Sequence, residues 1–402
     1  MSSLPVLVLN SGSSSIKFAM YEAGGEQRSK IFEGAVDGIG TDKGEFWIKD
    51  GGDKKLVDQT PTLPNRSVAF SMVADVLNSG QFPAPEAIGH RIVCGGPRIR
   101  DNQRIAPKII DEIESYARLA PLHTPIAVYI MREALRLFPG IPNFAVLDTY
   151  FHRTMPEVVT RMPIPDQYAD MGVRRYGYHG ISYESIIYQL QPDIPEKLIV
   201  AHLGNGASIT AIRKGESLDT SMGLTPTGGI ISGSRTGDID PGVVIFILRK
   251  IAETTPDAAV AADKLETVFS TKSGLLGVSE LSNDMRDLRE AIKSGNEKAR
   301  LAVDKFTWTI AKWIGGYYAE LGGLDTLVFT GGIGENDIAS RAEICSGLAA
   351  LGIVVDPQKN NVRGEAAVIS ADDSRVKVRV IPPAEDLMIV NHVVRLLDNQ
   401  GE

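Results

Sequence analysis

Val6-Leu7-Val8-Leu9-Asn10-Ser11-Gly12-Ser13-Ser14-Ser15-Ile16-Lys17-Phe18 reads as an apolar strand, a tight polar turn and a second strand. The same plan returns at Leu198-Ile199-Val200-Ala201-His202-Leu203-Gly204-Asn205-Gly206-Ala207-Ser208-Ile209. The repetition predicts two similar domains facing each other. Each turn is rich in Gly, Ser and Asn, so backbone N–H groups and hydroxyls can crowd around an anion that a bulkier turn would keep away. Phosphate is the natural guest; taken alone, either turn also reads as an ordinary hairpin.

Outward from the first turn the chain is strand-rich. Ala23-Gly24-Gly25, Asp50-Gly51-Gly52 and Pro61-Thr62-Leu63-Pro64 separate short runs such as Glu45-Phe46-Trp47-Ile48, the pattern of an antiparallel meander. Helices follow. Asn65 to Leu77 places Val68, Met72, Val73, Val76 and Leu77 on one face, and Thr124-Pro125 supplies an N-cap and a first-turn proline for a helix ending at Phe138. Phe144-Ala145-Val146-Leu147 is a short apolar strand ending on Asp148, and the Pro-rich stretch Met155 to Pro165 reads as a domain crossing, with the boundary near Tyr150.

The second half repeats the order of strands, then helices. After the Asn205 turn come Ser217 to Thr220, a Gly- and Thr-rich loop from Thr225 to Gly242, and a helix starting at Asp240-Pro241. Ala299 to Leu321 is a long helix stopped by Gly322-Gly323. Leu327-Val328-Phe329-Thr330 is a strand opening into the glycine loop Gly331-Gly332-Ile333-Gly334-Glu335-Asn336, ahead of another helix. Val376, Val378 and Val380 alternate as a strand, Pro382-Pro383 turns it, and Asp386 to Leu397 has helical periodicity that would let it return to the first domain.

Composition narrows the function classes. The 402 residues suffice for two or three domains with their own cores. Lysine and arginine total 42 against 50 acidic residues, a net charge of −8 with no basic block, which argues against nucleic-acid binding. The chain opens directly on a strand, shows no basic region followed by a long apolar run, and has no stretch long enough to cross a bilayer, so the expected compartment is the cytoplasm, with no membrane partner. Cys94 and Cys345 are the only cysteines, which leaves no disulfide framework and no metal-ligand spacing.

Glycine loops after strands suit nucleotides because phosphate or base can lie against bare backbone, and the following helix adds partial positive charge. Three such loops occur here, and none matches the Walker pattern, nor does Gly331 to Asn336 match the dinucleotide one. Arg91 follows an apolar segment and precedes the Cys94-Gly95-Gly96 turn, while Arg235 lies in Ser232-Gly233-Ser234-Arg235-Thr236-Gly237-Asp238, a loop too rich in small residues to need it for packing. Both suit forked contact with carboxylate or phosphate, and both also suit a surface ion pair. His123, His179 and His202 fall in turn-rich contexts, and the glycines flanking Tyr178-His179 favour a cleft position from which His179 can donate to a phosphoryl oxygen. Asp148 and Glu385, each just beyond a strand, are either hard-cation ligands or helix caps.

In order along the chain stand Asn10 to Ser15, His90-Arg91, Pro121-Leu122-His123, the Asp148 strand end, Tyr176 to Gly180, His202 to Gly206, Arg235, Ser282-Asn283-Asp284 and Gly331 to Asn336. With these the chain resembles the acetokinase family over essentially its whole length, a family of acetate and propionate kinases and, more distantly, butyrate kinases. The resemblance implies an α/β fold of two duplicated RNase H-like domains of the actin, Hsp70 and sugar kinase type, with mixed sheets and an interdomain nucleotide cleft. It implies an N-terminal acetokinase domain of residues 1–149 plus 386–402, closed by the C-terminal helix, a nucleotide-binding domain of residues 150–385, and a homodimer.

Carried over by position, the resemblance assigns Arg91 to the acyl substrate and the phosphoryl group, Arg235 and His179 to the transferring phosphoryl, and Asp148 as the essential acid. Asn10 and Glu385 lie near Mg2+, for which Mn2+ can substitute. Lys17, then His202, Leu203, Gly204, Asn205 and Gly206, resemble ATP- and ADP-contacting residues. Asp284, Met285 and Arg286, and Gly332, Ile333, Gly334, Glu335 and Asn336, complete that set. Val93, Leu122, Tyr178 and Pro226, beside His123, resemble the small pocket for the acyl group.

The chain departs from the family's wording at three places, and two of them, Tyr178 and the altered loop, bear on substrate preference. Cys94 stands where a second histidine is common, Tyr178 replaces a phenylalanine, and Thr227 to Ser234 differs ahead of Arg235. The expected activity is transfer of the ATP γ-phosphoryl group to acetate, giving acetyl phosphate and ADP. The rivals are a propionate or other short-chain carboxylate kinase and a non-catalytic ATP-dependent binding protein of the same fold. A pocket separates acids one methylene apart by only about 1–3 kcal/mol.

Overall fold

The structure, a computed structural model, describes residues 3–12, 14–25 and 28–399; Ser13 of the first turn and Gln400 to Glu402 of the expected C-terminal segment lie outside the described residues. The chain forms two compact units, 1–150 with 384–402, and 151–383.

In the first unit the strands are β1 (Pro5–Ser11), β2 (Ser15–Glu22), β3 (Ser29–Asp37), β4 (Glu45–Asp50), β5 (Lys55–Gln59), β6 (Ala87–Ile92), β7 (Gln103–Arg104) and β8 (Asn143–Leu147). They form one sheet in the order β5-β4-β3-β2-β1-β6-β8-β7. β1 to β5 make the antiparallel meander, and β6 and β8 add in parallel beside β1. Val6, Leu7, Val8 and Leu9 alternate across both faces and are all buried, as a central strand covered on each side requires. The helices Thr124–Leu137 and Glu385–Asp398 both lie on β1, β6 and β8. Gly89 on β6 makes room for the last one, because a Cβ there would stand 2.5 Å from Ile389 and 2.9 Å from Val393.

The second unit contains β9 (Lys197–Leu203), β10 (Ala207–Arg213), β11 (Glu216–Thr220), β12 (Thr326–Thr330), β13 (Ala367–Val368) and β14 (Lys377–Val380), in the order β11-β10-β9-β12-β14-β13. β9, β10 and β11 are antiparallel neighbours, and β12 and β14 follow in parallel. The first unit's core order β3-β2-β1-β6-β8 is therefore repeated as β11-β10-β9-β12-β14. Each unit is an α/β layer structure on a mixed sheet, and the duplicated strand-turn-strand of the sequence is the first antiparallel pair of each. The helix Glu297–Leu321 covers β9 and β10 with Ala302, Val303, Phe306, Ile310, Ile314 and Tyr317, a stripe at helical spacing, and ends on Gly322 at φ 68°.

Four local expectations change. The helix Arg66–Asn78 turns Ala69, Phe70, Val73, Ala74 and Leu77 inward and leaves Val68 exposed, because the ring of Phe70 fills the core that Val68 was expected to reach. His123, not Thr124, caps the helix Thr124–Leu137; Thr124 is already helical, and its hydroxyl is buried with no hydrogen-bond partner among the described residues. Gly331–Asn336 is not a loop but a short helix entered directly from β12, with Gly331 at φ 77° making the corner. The long helix begins at Glu297 rather than Ala299, where Asn296 accepts from the N–H of Ala299 at 2.9 Å.

Candidate active site

In the first unit, parallel pairing brings the C-terminal ends of β1, β6 and β8 to one edge, the place where open α/β sheets present functional side chains. Asn10 is the penultimate residue of β1, Arg91 the penultimate residue of β6, and Asp148 follows β8, its N–H held by the carbonyl of Ile92 at 2.8 Å. Arg91 donates from Nη2 to Asp148 Oδ2 at 2.5 Å, from Nε to Oδ1 at 3.3 Å, and from Nη1 to Asn10 Oδ1 at 3.3 Å. Asp148 is almost fully buried. Burial works against the charge on Arg91, but Asp148 and Glu385 outweigh it and raise the guanidinium's pKa.

Glu385 opens the C-terminal helix beside this pair. Burial pushes its carboxyl up to about 7, with Arg91 opposing and Asp148 and Asp386 adding to the rise. Acids crowded in this way are what a dication relieves. Mg2+ binds through one or two carboxylates and keeps waters and phosphate oxygens for the rest of its shell. The oxygen donors Asn10 and Glu385, next to Asp148, fit that requirement. Among the described residues, no group of three or more His, Cys, Asp or Glu could hold an ion unaided.

Lys17 stands opposite Asn10 across β1 and β2, so it belongs to this edge. Val93 is buried just past β6, Leu122 is 37 % exposed, and His123 heads the helix Thr124–Leu137.

In the second unit the two glycine-rich segments converge. His179 has a left-handed backbone, φ 58°, at the head of the helix Gly180–Leu190, a cost tolerated where a side chain must be aimed. Its Nδ1 is 2.8 Å from Ser208 Oγ, and its ring stacks on His202 with centroids 4.2 Å apart. His202 Nδ1 is in turn 2.8 Å from Ser182 Oγ. A Cβ built on Gly206 would lie 3.3 Å from Arg235 Nη1 and 3.4 Å from His179 Nε2. Arg235 Nη1 and His179 Nε2 thus meet over a position kept bare by glycine. Arg235 Nη1 also reaches the carbonyl of Pro226 at 3.3 Å, and the fully buried Tyr178 donates its hydroxyl to the carbonyl of Leu224 at 2.6 Å.

Alongside lies a cavity of about 770 Å³. Gly204, Asn205, Asp284, Met285 and Arg286 line it, with Gly332, Ile333 and Asn336. Asn205 Oδ1 accepts from Asn283 Nδ2 at 3.0 Å, and Arg286 pairs with Asp284 at 2.6 Å. His202, Leu203, Gly206, Gly334 and Glu335 are outside that lining. The Leu203 side chain is committed to the core and Gly334 is buried against Phe329. Burial raises the carboxyl of Glu335.

The cavity also takes residues that sequence reading did not assign: Asn283, Arg289, Asp337 and Arg363. Arg289, held by Asp337 at 3.0 Å and Glu343 at 2.8 Å, lies three positions after Arg286 on the helix Met285–Lys293, a spacing that shares a face. Asp337 directly follows the glycine segment. Nothing local marks Arg363, which reaches the carbonyl of Asn336 from a distant loop.

The profile described as the Acetokinase family matches residues 5–391. The chain belongs to the acetokinase family. An acetate kinase of Geobacillus sp. (strain WCH70) is 40% identical over 401 residues, covering 97% of this chain and 98% of the relative. An acetate kinase of Bacillus subtilis (strain 168) is 39% identical over 401 residues, with 97% and 99% covered. Among solved structures, the Porphyromonas gingivalis acetate kinase superposes with a TM-score of 0.83 at 37% identity, covering 98% of this chain and 100% of its own. A propionate kinase from Francisella tularensis subsp. tularensis SCHU S4 gives 0.87 at 35% identity with the same coverage. Acetokinase-family membership thus rests on nearly the full length of both units.

Proposed function

We propose that this chain is an ATP-dependent phosphotransferase acting on acetate, moving the γ-phosphoryl group directly and reversibly to the acetate carboxylate to give acetyl phosphate and ADP. The observation that carries the reading is the convergence of Arg235 Nη1 and His179 Nε2 over Gly206, beside the cavity lined by the glycine segments. Acetate is already ionised at neutral pH, so the reaction needs no general base; it needs charge stabilised on the equatorial oxygens of the transferring group. We assign that role to Arg235, His179 and Arg91. Asp148 orients the Arg91 fork and balances its charge. No covalent enzyme intermediate is required.

We assign the nucleotide to Asn205, Asp284 to Arg286 and Gly332 to Asn336, with His202 to Gly206 forming the wall behind it, and we assign Lys17 to the ATP-contacting set. Asn283, Arg289 and Arg363 join that set because they share the cavity. The acyl group is assigned to Arg91, Val93, Leu122, His123, Tyr178 and Pro226. Mg2+, or Mn2+ in its place, would be held by Asn10 and Glu385 and would neutralise phosphate charge. In this reading 1–149 with 386–402 is the acetokinase domain and 150–385 the nucleotide-binding domain.

The protein acts in the cytoplasm as a homodimer, without nucleic-acid or membrane partners. Support for the dimer comes from the helix Pro241–Ala252, which buries none of its residues and exposes Val243, Ile245 and Phe246. No helix among the described residues is long and apolar enough to cross a membrane. The deciding experiment incubates the protein with MgATP and acetate, propionate or butyrate and traps acyl phosphate with hydroxylamine. Acetate-dependent hydroxamate exceeding that from propionate establishes the reading. A propionate maximum moves the chain to the propionate kinases, and ATP binding with no acyl phosphate from any acid overturns catalysis.

A further inference from the structure

His179 is held from behind by two buried hydroxyls. Ser208 on β10 places Oγ 2.8 Å from His179 Nδ1, and the same Oγ is 2.5 Å from the phenolic oxygen of Tyr183. Ser208 and Tyr183 are both fully buried. Tyr183 is one turn into the helix that His179 itself begins, and Ser208 pairs across the sheet with His202, whose ring stacks on His179. Helix, strand and stacked ring therefore fix the imidazole's plane, leaving Nε2 facing the bare Gly206 position that Arg235 shares.

We propose that Tyr183 and Ser208 are positioning residues that set the direction of this hydrogen-bond chain and thereby fix neutral His179 as its Nε2–H tautomer. The proposal rests on the reading that His179 faces the transferring phosphoryl group. A phosphoryl oxygen only accepts, so a neutral imidazole helps it only when the proton is on Nε2. Nδ1 is then an acceptor and Ser208 must donate to it. The Ser208 oxygen, having given its proton, accepts from Tyr183, and of the two hydroxyls the phenol is the more acidic and the better donor. The polarity Tyr183 to Ser208 to Nδ1 thus leaves a donor at Nε2. The opposite polarity would point a bare lone pair at the phosphate. No proton is transferred in either case. What is set is which ring nitrogen carries it, and a short, buried hydroxyl pair holds that choice against thermal exchange.

The test is 15N NMR of the full-length protein labelled at its histidines, with His179→Gln identifying the His179 signals among the six histidines. With the ring neutral, the wild type should show Nε2 protonated and Nδ1 bare. Ser208→Ala should give a mixture of tautomers, and Tyr183→Phe a smaller shift in the same direction. In parallel, kcat of Ser208→Ala should fall about tenfold or more while KM for ATP stays within about twofold, as for loss of a donor that acts on the transition state. Tyr183→Phe keeps the ring in the core, so it decides the matter if Ser208→Ala does not fold. An Nδ1–H tautomer in the wild type, or unchanged tautomer and kcat in the variants, overturns the proposal. Should the wild type form no acyl phosphate at all, the functional reading fails while the tautomer is still measured.

Discussion

Arg91 grips Asp148 at two points, Nη2 at 2.5 Å from Oδ2 and Nε at 3.3 Å from Oδ1, with the arginine side chain 18% exposed and the aspartate 1%. The pair is asymmetric: the acid is sealed and the arginine side chain is partly exposed. That geometry lets the acid fix the direction of the arginine side chain.

Arg91→Lys keeps the charge and loses the fork, so turnover should fall by about 10²- to 10³-fold in the hydroxamate assay. Arg91→Ala should fall further and also strand a buried carboxylate, at a cost of about 3–5 kcal/mol in urea unfolding. Near-normal turnover in Arg91→Ala would remove the residue from the reaction.

His90, beside Arg91 on β6, points the other way into the core. Asn143 Nδ2 is committed to the carbonyl of Ile141 at 2.9 Å, which turns Oδ1 toward His90 Nε2 at 2.7 Å, so the neutral ring donates there. Burial lowers the ring to about 4, with the Asn143 bond opposing. A depressed histidine favours the folded state at pH above its ordinary value near 6.5, and the gain is lost as pH falls through 4. Between those values the fold should lose about 3 kcal/mol from this group alone. His90→Gln retains an N–H donor for Asn143 and cannot titrate, so its stability should decline less over that window in urea titrations run pH by pH. Parallel curves for the two proteins would show that His90 is not the sensor.

The duplicated sheets were legible in the sequence because an apolar run, a Gly/Asn turn and a second run have one economical solution, a hairpin, and it occurs twice. The face of Arg66–Asn78 was not, because Val68, Met72 and Val76 on one side and Ala69, Phe70 and Val73 on the other both have helical spacing. Only the volume available under the sheet selects Phe70. Glycine content made Gly331–Asn336 read as a loop, yet a single positive φ at Gly331 turns the corner and the remaining residues continue as helix. At the site, Arg91, Asp148 and Asn10 were readable as strand ends. Arg363 comes to the cavity through a distant loop, so no local spacing could announce it.

Gly331 and Gly332 are neighbours with opposite reasons for being glycine. Gly331 sits at φ 77° with Leu203 backbone atoms 2.9–3.1 Å from where a Cβ would be, so Gly331→Ala should cost at least about 1–2 kcal/mol in unfolding and displace the short helix. A Cβ on Gly332 meets nothing within 4 Å, and Gly332 lines the cavity. Gly332→Leu should therefore melt like the wild type while raising KM for ATP by about tenfold or more, with KM for acetate unchanged. Equal loss of stability in both variants would place Gly332 in the framework instead.

Tyr178 differs from Val93, Leu122 and Pro226, with which it is assigned to the acyl group, because it carries a polar group, and that group is bound to the protein itself. The hydroxyl ends on the carbonyl of Leu224 at 2.6 Å, and two residues on, the carbonyl of Pro226 receives Arg235 Nη1 at 3.3 Å. The bond thus anchors the stretch of loop that bears on Arg235. Tyr178→Phe leaves the part-buried Leu224 carbonyl without this donor, which should cost about 1 kcal/mol. The order of acetate, propionate and butyrate as substrates should stay as in the wild type, while kcat falls for all three in the same proportion because Arg235 is less firmly held. A changed order of acids in the hydroxamate assay would mean that the hydroxyl contacts the acyl group. An unchanged kcat would mean that the Leu224 anchor does not reach Arg235.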